Sequence, residues 1–518
     1  MDTNTAKGSR YSNEQSSLLP HGGSTSNSQE AKVHPAAFML TLCCFLAAVQ
    51  WGACMMTAPQ TQLFESIACY HHFRKNDPGR FPNIGDIPDR YCKIAPIESE
   101  VALIQGIGGS LEALPSILLS IPYGRLADNP KYGRKTVLML SLIGTMMGIA
   151  WAIMVLWFSE IFPLRLVWLC PVFAVIGGGS GIITAMVFTM ITDVVDAENR
   201  TAAFFQLEIA AFIPQVFSPI LAAWLMEKNP WIPLLLGCAI LYIGAVFIIY
   251  IPETYHVGKS IGIGAQSHVQ DTSGVEYIPG DSDPASKSSF PYFIQERLDR
   301  IWYSSCFIMK QPTLLILAAI LVYMLGNSQK DILLLYASTR YGISLASAGL
   351  LLPLTAAVNV VLLLFLLPAV STHLLTYRRY TSNDKDLFLS KVSIIHLTVG
   401  CFLLGLAPTL GAAIMALIIY TLGSGLSPLT RNLLTSFIDP RHVASLNSVI
   451  SVVQRSGELV GGPFIAWSYD LGLGMGDAWL GLPFAGTGVL HALATLGVCL
   501  VKLPRETDDV EDDAMLRD

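Results

Sequence analysis

The stretch Gly124–Lys135 reads GRLADNPKYGRK and lies between two long apolar blocks. The residues of this stretch that indicate its structure are Gly124, Asp128, Gly133, Arg134 and Lys135. The two glycines allow a tight turn because they accept backbone angles that other residues avoid. The aspartate supplies an anion for a helix N-terminus or an arginine, and the closing Arg-Lys pair holds a loop in the cytosol. The stretch therefore predicts a tight cytosolic turn between two membrane-spanning helices.

The composition of the whole chain is typical of a membrane protein. Of its 518 residues, 52% are hydrophobic and only 14% are charged, against roughly 25% charged residues in an average soluble domain. The apolar residues fall in blocks of about twenty, enough to cross a hydrocarbon core of about 30 Å. The blocks lie near residues 36–56, 99–122, 136–157, 166–192, 201–226, 231–251, 312–337, 347–370, 391–408, 411–432, 446–470 and 480–502. These spans, in two sets of six, predict an all-α polytopic membrane protein.

The same composition excludes several classes of protein. So little charge cannot cover the surface of a soluble enzyme. The net charge of −6 and the pI near 5.9 argue against a nucleic-acid partner, which selects a basic face. Gly258-Lys259-Ser260 ends like a phosphate-binding loop, but residue 253 is Glu where the first glycine belongs. Since no histidine has a partner at metal-ligand spacing either, we expect no enzyme activity, no cofactor and no metal.

Lysines and arginines predict the orientation. Of the 32, 22 fall in segments that are cytosolic if the N-terminus is cytosolic, 8 fall outside and 2 lie within spans. Because basic residues concentrate in cytosolic loops, both termini are expected in the cytosol. The expected segments are a disordered tail at 1–35, a first half at 36–251, a central loop at 252–311, a second half at 312–502 and an acidic tail at 503–518.

Two loops carry expectations of their own. The first external loop, about 57–98, is the only long one outside, and it holds Cys69 and Cys92, the only two of the ten cysteines on the oxidising side. A disulfide between them would constrain this loop, and two free thiols are the alternative. Residues 291–309, at the end of the central loop, place apolar side chains on one helical face. They predict an amphipathic helix at the membrane surface or a plain linker helix.

The loop Gly124–Lys135 resembles the signature loop of the major facilitator superfamily, Gly-x-Leu-Ala-Asp-x-x-Gly-Arg-Lys, with a longer spacing between the aspartate and the second glycine. The sequence also contains a weak internal repeat. Residues 196–204 precede the fifth span, and residues 439–447 precede the eleventh span in the corresponding place. The resemblance, which is to fungal members, implies two pseudo-symmetric six-helix bundles, a central cavity, rocking between inward-open and outward-open states, and a gating role for the loop. Spans one, two, four, five, seven, eight, ten and eleven would line the cavity or the contact between the halves.

Charged side chains inside the spans point most strongly to function, because each is costly in a membrane unless it is paired or hydrated. They are Glu112, Glu208, Lys330, Asp331, Arg455 and Glu458. Glu112 and Arg455 lie about ten residues from the cytosolic ends of their spans, and a rise of about 1.5 Å per residue puts both near mid-membrane. We expect them to pair between the halves, although Arg455 and Glu458 can also pair on one helix face. A purely structural latch is the alternative role.

Glu208 and Glu458 are the expected proton carriers, because a carboxylate in an apolar cavity can change its protonation as water access alternates. Lys330 and Asp331 are expected to neutralise each other nearer the outside. The amides that could orient a neutral, moderately polar ligand are Gln50, Gln105, Gln206, Asn327, Gln329, Asn359 and Gln454. Hydrogen bonding between helices is the alternative role of each amide.

These features predict a secondary transporter that exports a small organic molecule, such as a secondary metabolite, toxin or drug, in exchange for protons. The segment 218–223 resembles the Gly-Pro-x-x-Gly-Gly motif of drug/proton antiporters, with small residues in place of every glycine, but the span-four arginine of many proton-coupled members is absent. Proton-symport uptake of a nutrient and a transporter-like sensor are the alternatives. The expected partners are the substrate, protons and the lipid bilayer, with no nucleic acid, and we expect a monomer.

The plasma membrane is the expected location. Glu14 followed by Leu18-Leu19 has the spacing of an acidic dileucine sorting signal, which makes the vacuolar membrane the alternative.

Overall fold

The computed structural model describes residues 35–77, 87–129, 131–195, 200–254, 311–436 and 443–501, and these residues form helices without any strand. Helices occur at all twelve predicted positions and are named α1 to α12. The first six are α1 Pro35–Asn76, α2 Ala95–Ala127, α3 Gly133–Trp157, α4 Leu164–Phe173 with Gly179–Val194, α5 Arg200–Met226 and α6 Trp231–Tyr250. The last six are α7 Gln311–Asn327 with Gln329–Tyr341, α8 Leu345–Thr376, α9 Ser382–Leu406, α10 Leu410–Thr435, α11 Val443–Met475 and α12 Leu482–Leu500.

Most of these helices can cross a membrane by length and composition. Nine of the described helices meet both conditions, and α7 makes a tenth when its two pieces, bent by 52°, are counted as one span. Helix α4 is divided into two shorter apolar helices, and α11 is one continuous helix of 33 residues that carries Arg455, Glu458 and Asp470. The predicted all-α polytopic membrane fold is confirmed. The two tails, the interior of the central loop and its predicted amphipathic helix lie outside the described residues.

Helix α1 is longer than the sequence predicted. It continues past residue 56 to Asn76, across a stretch that was expected to be an external loop. Polar residues and Pro59 give this stretch the composition of a loop, yet Phe64, Ile67 and Ala68 are buried in a core that also contains Val101 of α2. An apolar stripe at this spacing stabilises a helix against its neighbour. The prediction of a loop over 57–76 is therefore wrong.

A disulfide joins Cys69, near the end of α1, to Cys92, just before α2. We expect the double substitution Cys69→Ser/Cys92→Ser to lower the thermal denaturation temperature. The bond restricts the unfolded chain, and for a separation of 23 residues the chain-entropy contribution is about 3 kcal/mol. Thermal denaturation with and without reductant measures the effect. Reductant should bring the wild type down to the variant and leave the variant unchanged, whereas a variant as stable as the oxidised wild type would contradict the prediction.

Helix α4 breaks at Gly177, Gly178 and Gly179, whose φ angles are 93°, 85° and 74°. Glycine adopts such angles at little cost and other residues do not. A break frees backbone groups that a membrane tolerates only where protein supplies hydrogen bonds. Ser116 of α2 donates to the Gly178 carbonyl at 2.9 Å, and Ser141 of α3 donates to the Gly177 carbonyl at 2.5 Å. The break therefore holds α2, α3 and α4 together.

The helices pack mainly within two sets of six. In the first set α1 lies against α5 and α6, and α3 lies against α4. In the second set α7 lies against α11 and α12, and α9 lies against α10 and α12. The sets meet chiefly where α2 contacts α11 and α5 contacts α8.

Helices α2 and α11 run antiparallel. Ser99 near the start of α2 hydrogen-bonds Asp470 near the end of α11, and Ser110 donates to the Glu458 carbonyl further along, at 3.5 Å. Helices α1 and α2 meet at the disulfide, and α11 leads into α12 on the same side, so we call this end of the molecule the disulfide side. The first and last described residues lie at the opposite end, which we call the termini side.

Candidate functional site

Two glycines let α2 and α11 touch through their backbones. A Cβ added at Gly462 would lie 2.1 Å from the Gly106 carbonyl oxygen, and one added at Gly106 would lie 2.5 Å from the Gly462 oxygen. Distances under 3.0 Å are essentially never seen for real Cβ atoms. The two halves can therefore meet this closely only because both positions lack a side chain.

Arg455 and Glu458 lie in this contact, on α11. Arg455 Nη1 donates to Glu458 Oε2 at 2.7 Å, and the side chains are 33% and 30% exposed. A Cβ added at Gly181 of α4 would lie 3.3 Å from Arg455 Nη2 and 2.8 Å from Ser116 Oγ of α2. Arg455 thus reaches the first half while it stays paired on its own helix.

The ion pair expected between Glu112 and Arg455 is not formed. Arg455 pairs with Glu458 because a spacing of three residues puts both side chains on one helix face. Glu112 instead lines a cavity inside the first half. Among the described residues it has neither a hydrogen bond nor an ion pair.

That cavity, called the first-half cavity, has a volume of about 400 Å³ and is lined by residues of α1, α2, α3, α4 and α6. Ligand pockets occupy about 300–1,000 Å³, so it is large enough for a small molecule. The charged and polar side chains on its wall are Thr57, Gln60, Thr61, Gln105, Glu112, Thr145 and Ser180. Gln105 Nε2 donates to Thr61 Oγ1 at 2.7 Å, which links α2 to α1. Glu112 is the one charged group among these described lining residues.

A smaller cavity of about 30 Å³, called the second-half cavity, is lined by α7, α8, α9, α10 and α12. These helices match the five around the first-half cavity when the numbering is shifted by six. Four of the predicted site residues line it, namely Asn327, Gln329, Lys330 and Asn359. The side chain of Asp331 lies outside the described part of the chain, so the predicted pairing of Lys330 with Asp331 stays a prediction.

Three more predicted site residues lie outside both cavities, as Arg455 and Glu458 do. Gln50 is half-buried, and Gln206 and Glu208 are exposed. Helix α5 carries a stripe of exposed apolar side chains formed by Ile209, Ile213, Phe217, Ile220 and Trp224. At 3.6 residues per turn, Gln206 falls within this stripe and Glu208 falls on the opposite side of the helix. Gln206 therefore has the position of a lipid-facing residue, and Glu208 does not.

The loop Gly124–Lys135 forms an ion-pair cluster at the termini side. Arg134 lies 2.9 Å from Asp193 of α4 and 3.7 Å from Asp128. Gly133 has a φ of 73°, which a tight turn requires. The turn does not depend on a glycine at position 124, because Gly124 lies inside α2 and a Cβ added there would meet nothing within 4 Å.

Glu253, just after α6, is a residue of this cluster that the sequence did not reveal. Its two carboxylate oxygens accept the backbone N–H groups of Arg134 at 2.9 Å and Lys135 at 3.0 Å. Thr254 next to it donates to Asp193 at 3.1 Å. Unpaired N–H groups at the start of a helix attract anions, so an acidic residue directly after an apolar block was the available signal.

We expect Glu253→Ala to lower the stability of the protein by about 1–3 kcal/mol, because two backbone donors would lose their acceptor. Glu253→Gln keeps one acceptor oxygen and should fall between the variant and the wild type. Thermal denaturation of the three purified proteins gives the order. Equal midpoints for the alanine variant and the wild type would show that Glu253 does not hold the turn.

A second cluster at the disulfide side was also hidden in the sequence. Lys93 Nζ lies 2.6 Å from Glu65 of α1 and 3.6 Å from Glu98 of α2. Tyr469 of α11 donates to Glu98 Oε2 at 3.5 Å, and both side chains are fully buried. The cluster therefore ties the two halves together on this side. Among the described residues no group of three or more His, Cys, Asp or Glu could hold a metal ion.

Comparison with known proteins identifies the family. The sequence profile described as Major Facilitator Superfamily matches residues 40–462. The chain belongs to the Major Facilitator Superfamily, and the resemblance of the loop Gly124–Lys135 is confirmed. The family consists of membrane transporters, so the chain is an integral multi-pass membrane protein of a transporter fold.

Curated relatives and solved structures agree with this assignment. The chain is 31% identical to a protein of Emericella nidulans named MFS efflux pump atnC, over 88% of this chain and 86% of the relative. It is 29% identical to a protein of Aspergillus flavus named efflux pump ustT, over 85% and 83% of the two chains. A D-xylose–proton symporter structure has a TM-score of 0.58 at 13% identity and covers 89% of this chain and 97% of its own, which shows the common fold.

Proposed function

We propose that this protein exports a small organic molecule, of the secondary-metabolite or toxin class, from the cytosol in exchange for protons. Relatives named efflux pumps match over more than four-fifths of both chains, which supports export. The observation that carries proton exchange is the Arg455–Glu458 pair, which is part-exposed at the contact between the halves. A charged pair at such a place is a functional site by default.

The pair offers a physical route to coupling. Protonation of Glu458 removes the negative charge that lies 2.7 Å from Arg455. The guanidinium then has to seek acceptors elsewhere, and on the first half it lies beside Gly181. Protonation thereby changes the contact between α11 and the first half, and with it the balance between the inward-open and outward-open states. Glu208, on the side of α5 away from the apolar stripe, is the second proposed proton carrier.

We also propose that the termini side faces the cytosol. The hydrogen bonds between α2 and α11 run from Ser99 and Asp470 at the disulfide side to Ser110 and Glu458 near the middle. A contact closed on the disulfide side is the pattern of an inward-open state. We further propose that the two halves comprise residues 36–251 and 312–502. The proposed location is the plasma membrane, and the proposed state is a monomer.

Inside-out membrane vesicles that carry the protein test this function. An acidic interior should drive accumulation of a transported compound from a panel of small metabolites, measured by mass spectrometry. Collapse of the gradient with nigericin should abolish the accumulation. Accumulation that ignores the gradient would refute proton coupling, and accumulation only in right-side-out vesicles would refute export in favour of uptake.

A further inference from the structure

The two cavities occupy equivalent positions in a repeated structure. The wall of the first-half cavity contains Gln105, Gly108 and Glu112 of α2. The wall of the second-half cavity contains Leu352, Thr355 and Asn359 of α8, with the same spacings of three and four residues. The sequence Gly-Ser-Gly occurs at 179–181 in α4 and again at 423–425 in α10. By this correspondence Glu112 matches Asn359, and Ser180 matches Ser424.

The second-half cavity is closed by its own side chains. The Ser424 hydroxyl donates to the Asn359 side-chain oxygen, which joins α10 to α8. The aromatic side chains of Tyr323, Tyr420 and Phe484 also stand on its wall, and only about 30 Å³ is left. In the second half, packed side chains therefore fill the position that corresponds to the first-half cavity.

The first-half cavity is open at the same position. Glu112 and Ser180 both line it, and no hydrogen bond joins them among the described residues. Gly108 stands on the wall where the matching position of the other half is Thr355. A Cβ added at Gly108 would meet nothing within 4 Å, so even this missing side chain adds to the free space. The two halves otherwise match at this position, and they differ in the free volume there, which is about 400 Å³ in the first half and about 30 Å³ in the second.

We propose that the first-half cavity binds the protonated amine of a small organic molecule, with Glu112 as the counter-ion. The described lining residues include one carboxylate and no lysine, arginine or histidine, so the site favours a cation and repels an anion. A carboxylate in a membrane interior is costly unless it is paired or hydrated. A ligand ammonium supplies the missing partner, and the Gln60 amide on the same wall can accept a further hydrogen bond from it. This inference rests on the proposed function in one respect, since it gives the exported molecule a basic nitrogen.

Binding to the purified full-length protein tests the site. The probes are 2-phenylethylamine, the neutral 2-phenylethanol and the anionic 3-phenylpropanoate, which share a ring and a chain of similar length. Calorimetry should show binding of the amine, weaker binding of the alcohol and none of the acid. Glu112→Gln should weaken amine binding about 10- to 100-fold, the range for a hydrogen bond between charged groups, and leave alcohol binding unchanged.

A second variant keeps the test decisive if Glu112→Gln fails to fold. Gly108→Leu changes no charge, puts a bulky side chain into the cavity one helical turn from Glu112 and should remove binding of amine and alcohol alike. Gly411→Leu is the matched control, because a Cβ at Gly411 of α10 also meets nothing within 4 Å and this residue lines neither cavity. Its binding should equal that of the wild type.

Three results would overturn the proposal: equal affinity for the amine and the alcohol, amine binding that survives Gly108→Leu, or no binding of any amine from n-butylamine to 2-phenylethylamine. The proposed function fails separately. Amine binding at Glu112 without gradient-driven transport in vesicles would remove the transport proposal and keep the site. Gradient-driven transport without amine binding would remove the proposed site and keep the transport proposal.

Discussion

Neutralisation of one member of the Arg455–Glu458 pair is expected to reduce gradient-driven transport roughly tenfold or more, since a hydrogen bond between charged groups contributes about 1.5–3 kcal/mol. Arg455→Gln and Glu458→Gln each leave the other charge without its partner, which lies 2.7 Å away in the native protein. Both single variants should therefore also denature at a lower temperature. Uptake into inside-out vesicles and thermal denaturation of the purified proteins measure the two effects.

The double variant Arg455→Gln/Glu458→Gln separates stability from coupling. It leaves no charge unpaired at this contact, so its denaturation temperature should return toward that of the wild type while its transport no longer responds to a pH gradient. Ser456→Ala is the matched control on α11, because the Ser456 hydroxyl donates to the Val452 carbonyl of the same helix. A double variant with normal gradient dependence would reduce the pair to a structural latch.

Substitution of Gly106 by alanine is expected to destabilise the protein and abolish transport. In a helix Gly→Ala normally stabilises by about 0.4–1 kcal/mol. At Gly106 the sign reverses, because the new Cβ would lie 2.5 Å from the Gly462 carbonyl oxygen and 2.8 Å from Ala466 Cβ. Overpacking of this kind costs about 1–3 kcal/mol, and it holds α2 and α11 apart on the side where they close.

Gly474→Ala provides the control for this prediction. Gly474 lies on α11, the helix that Gly106 of α2 contacts, and a Cβ there would meet nothing within 4 Å. This variant should be as stable as the wild type or slightly more so, with normal transport, as measured by thermal denaturation and vesicle uptake. A Gly106→Ala protein that matches Gly474→Ala in both measurements would show that the close contact of the halves has no role.

The number and positions of the helices could be predicted because membrane thickness fixes the length of an apolar span. That rule holds only where lipid surrounds the helix. The end of α1, from residue 57 to Asn76, is stabilised by burial against α2 and by the ion pair of Glu65 with Lys93. Neither contact leaves a trace in a count of consecutive apolar residues, so the sequence predicted a loop there.

The sequence indicated which residues belong to the candidate site, but it did not indicate which of them pair with each other. Depth along a helix follows from residue count, and it placed Glu112 and Arg455 at a similar level. The direction of a side chain around the helix depends on packing, which turns Glu112 into the first-half cavity and leaves Arg455 with Glu458. Glu253 escaped notice because its partner Arg134 lies 119 residues away in the chain.

Exchange of substrate for protons is tested most directly by proton movement in proteoliposomes. Purified protein is reconstituted with the pH-sensitive dye pyranine inside and with no imposed gradient, and a transported compound is added outside. Entry of the compound should raise the internal pH in the wild type, whichever way the protein is inserted, and should leave it unchanged in Arg455→Gln/Glu458→Gln. Entry of the compound with a constant or falling internal pH in the wild type would contradict proton-exchange export.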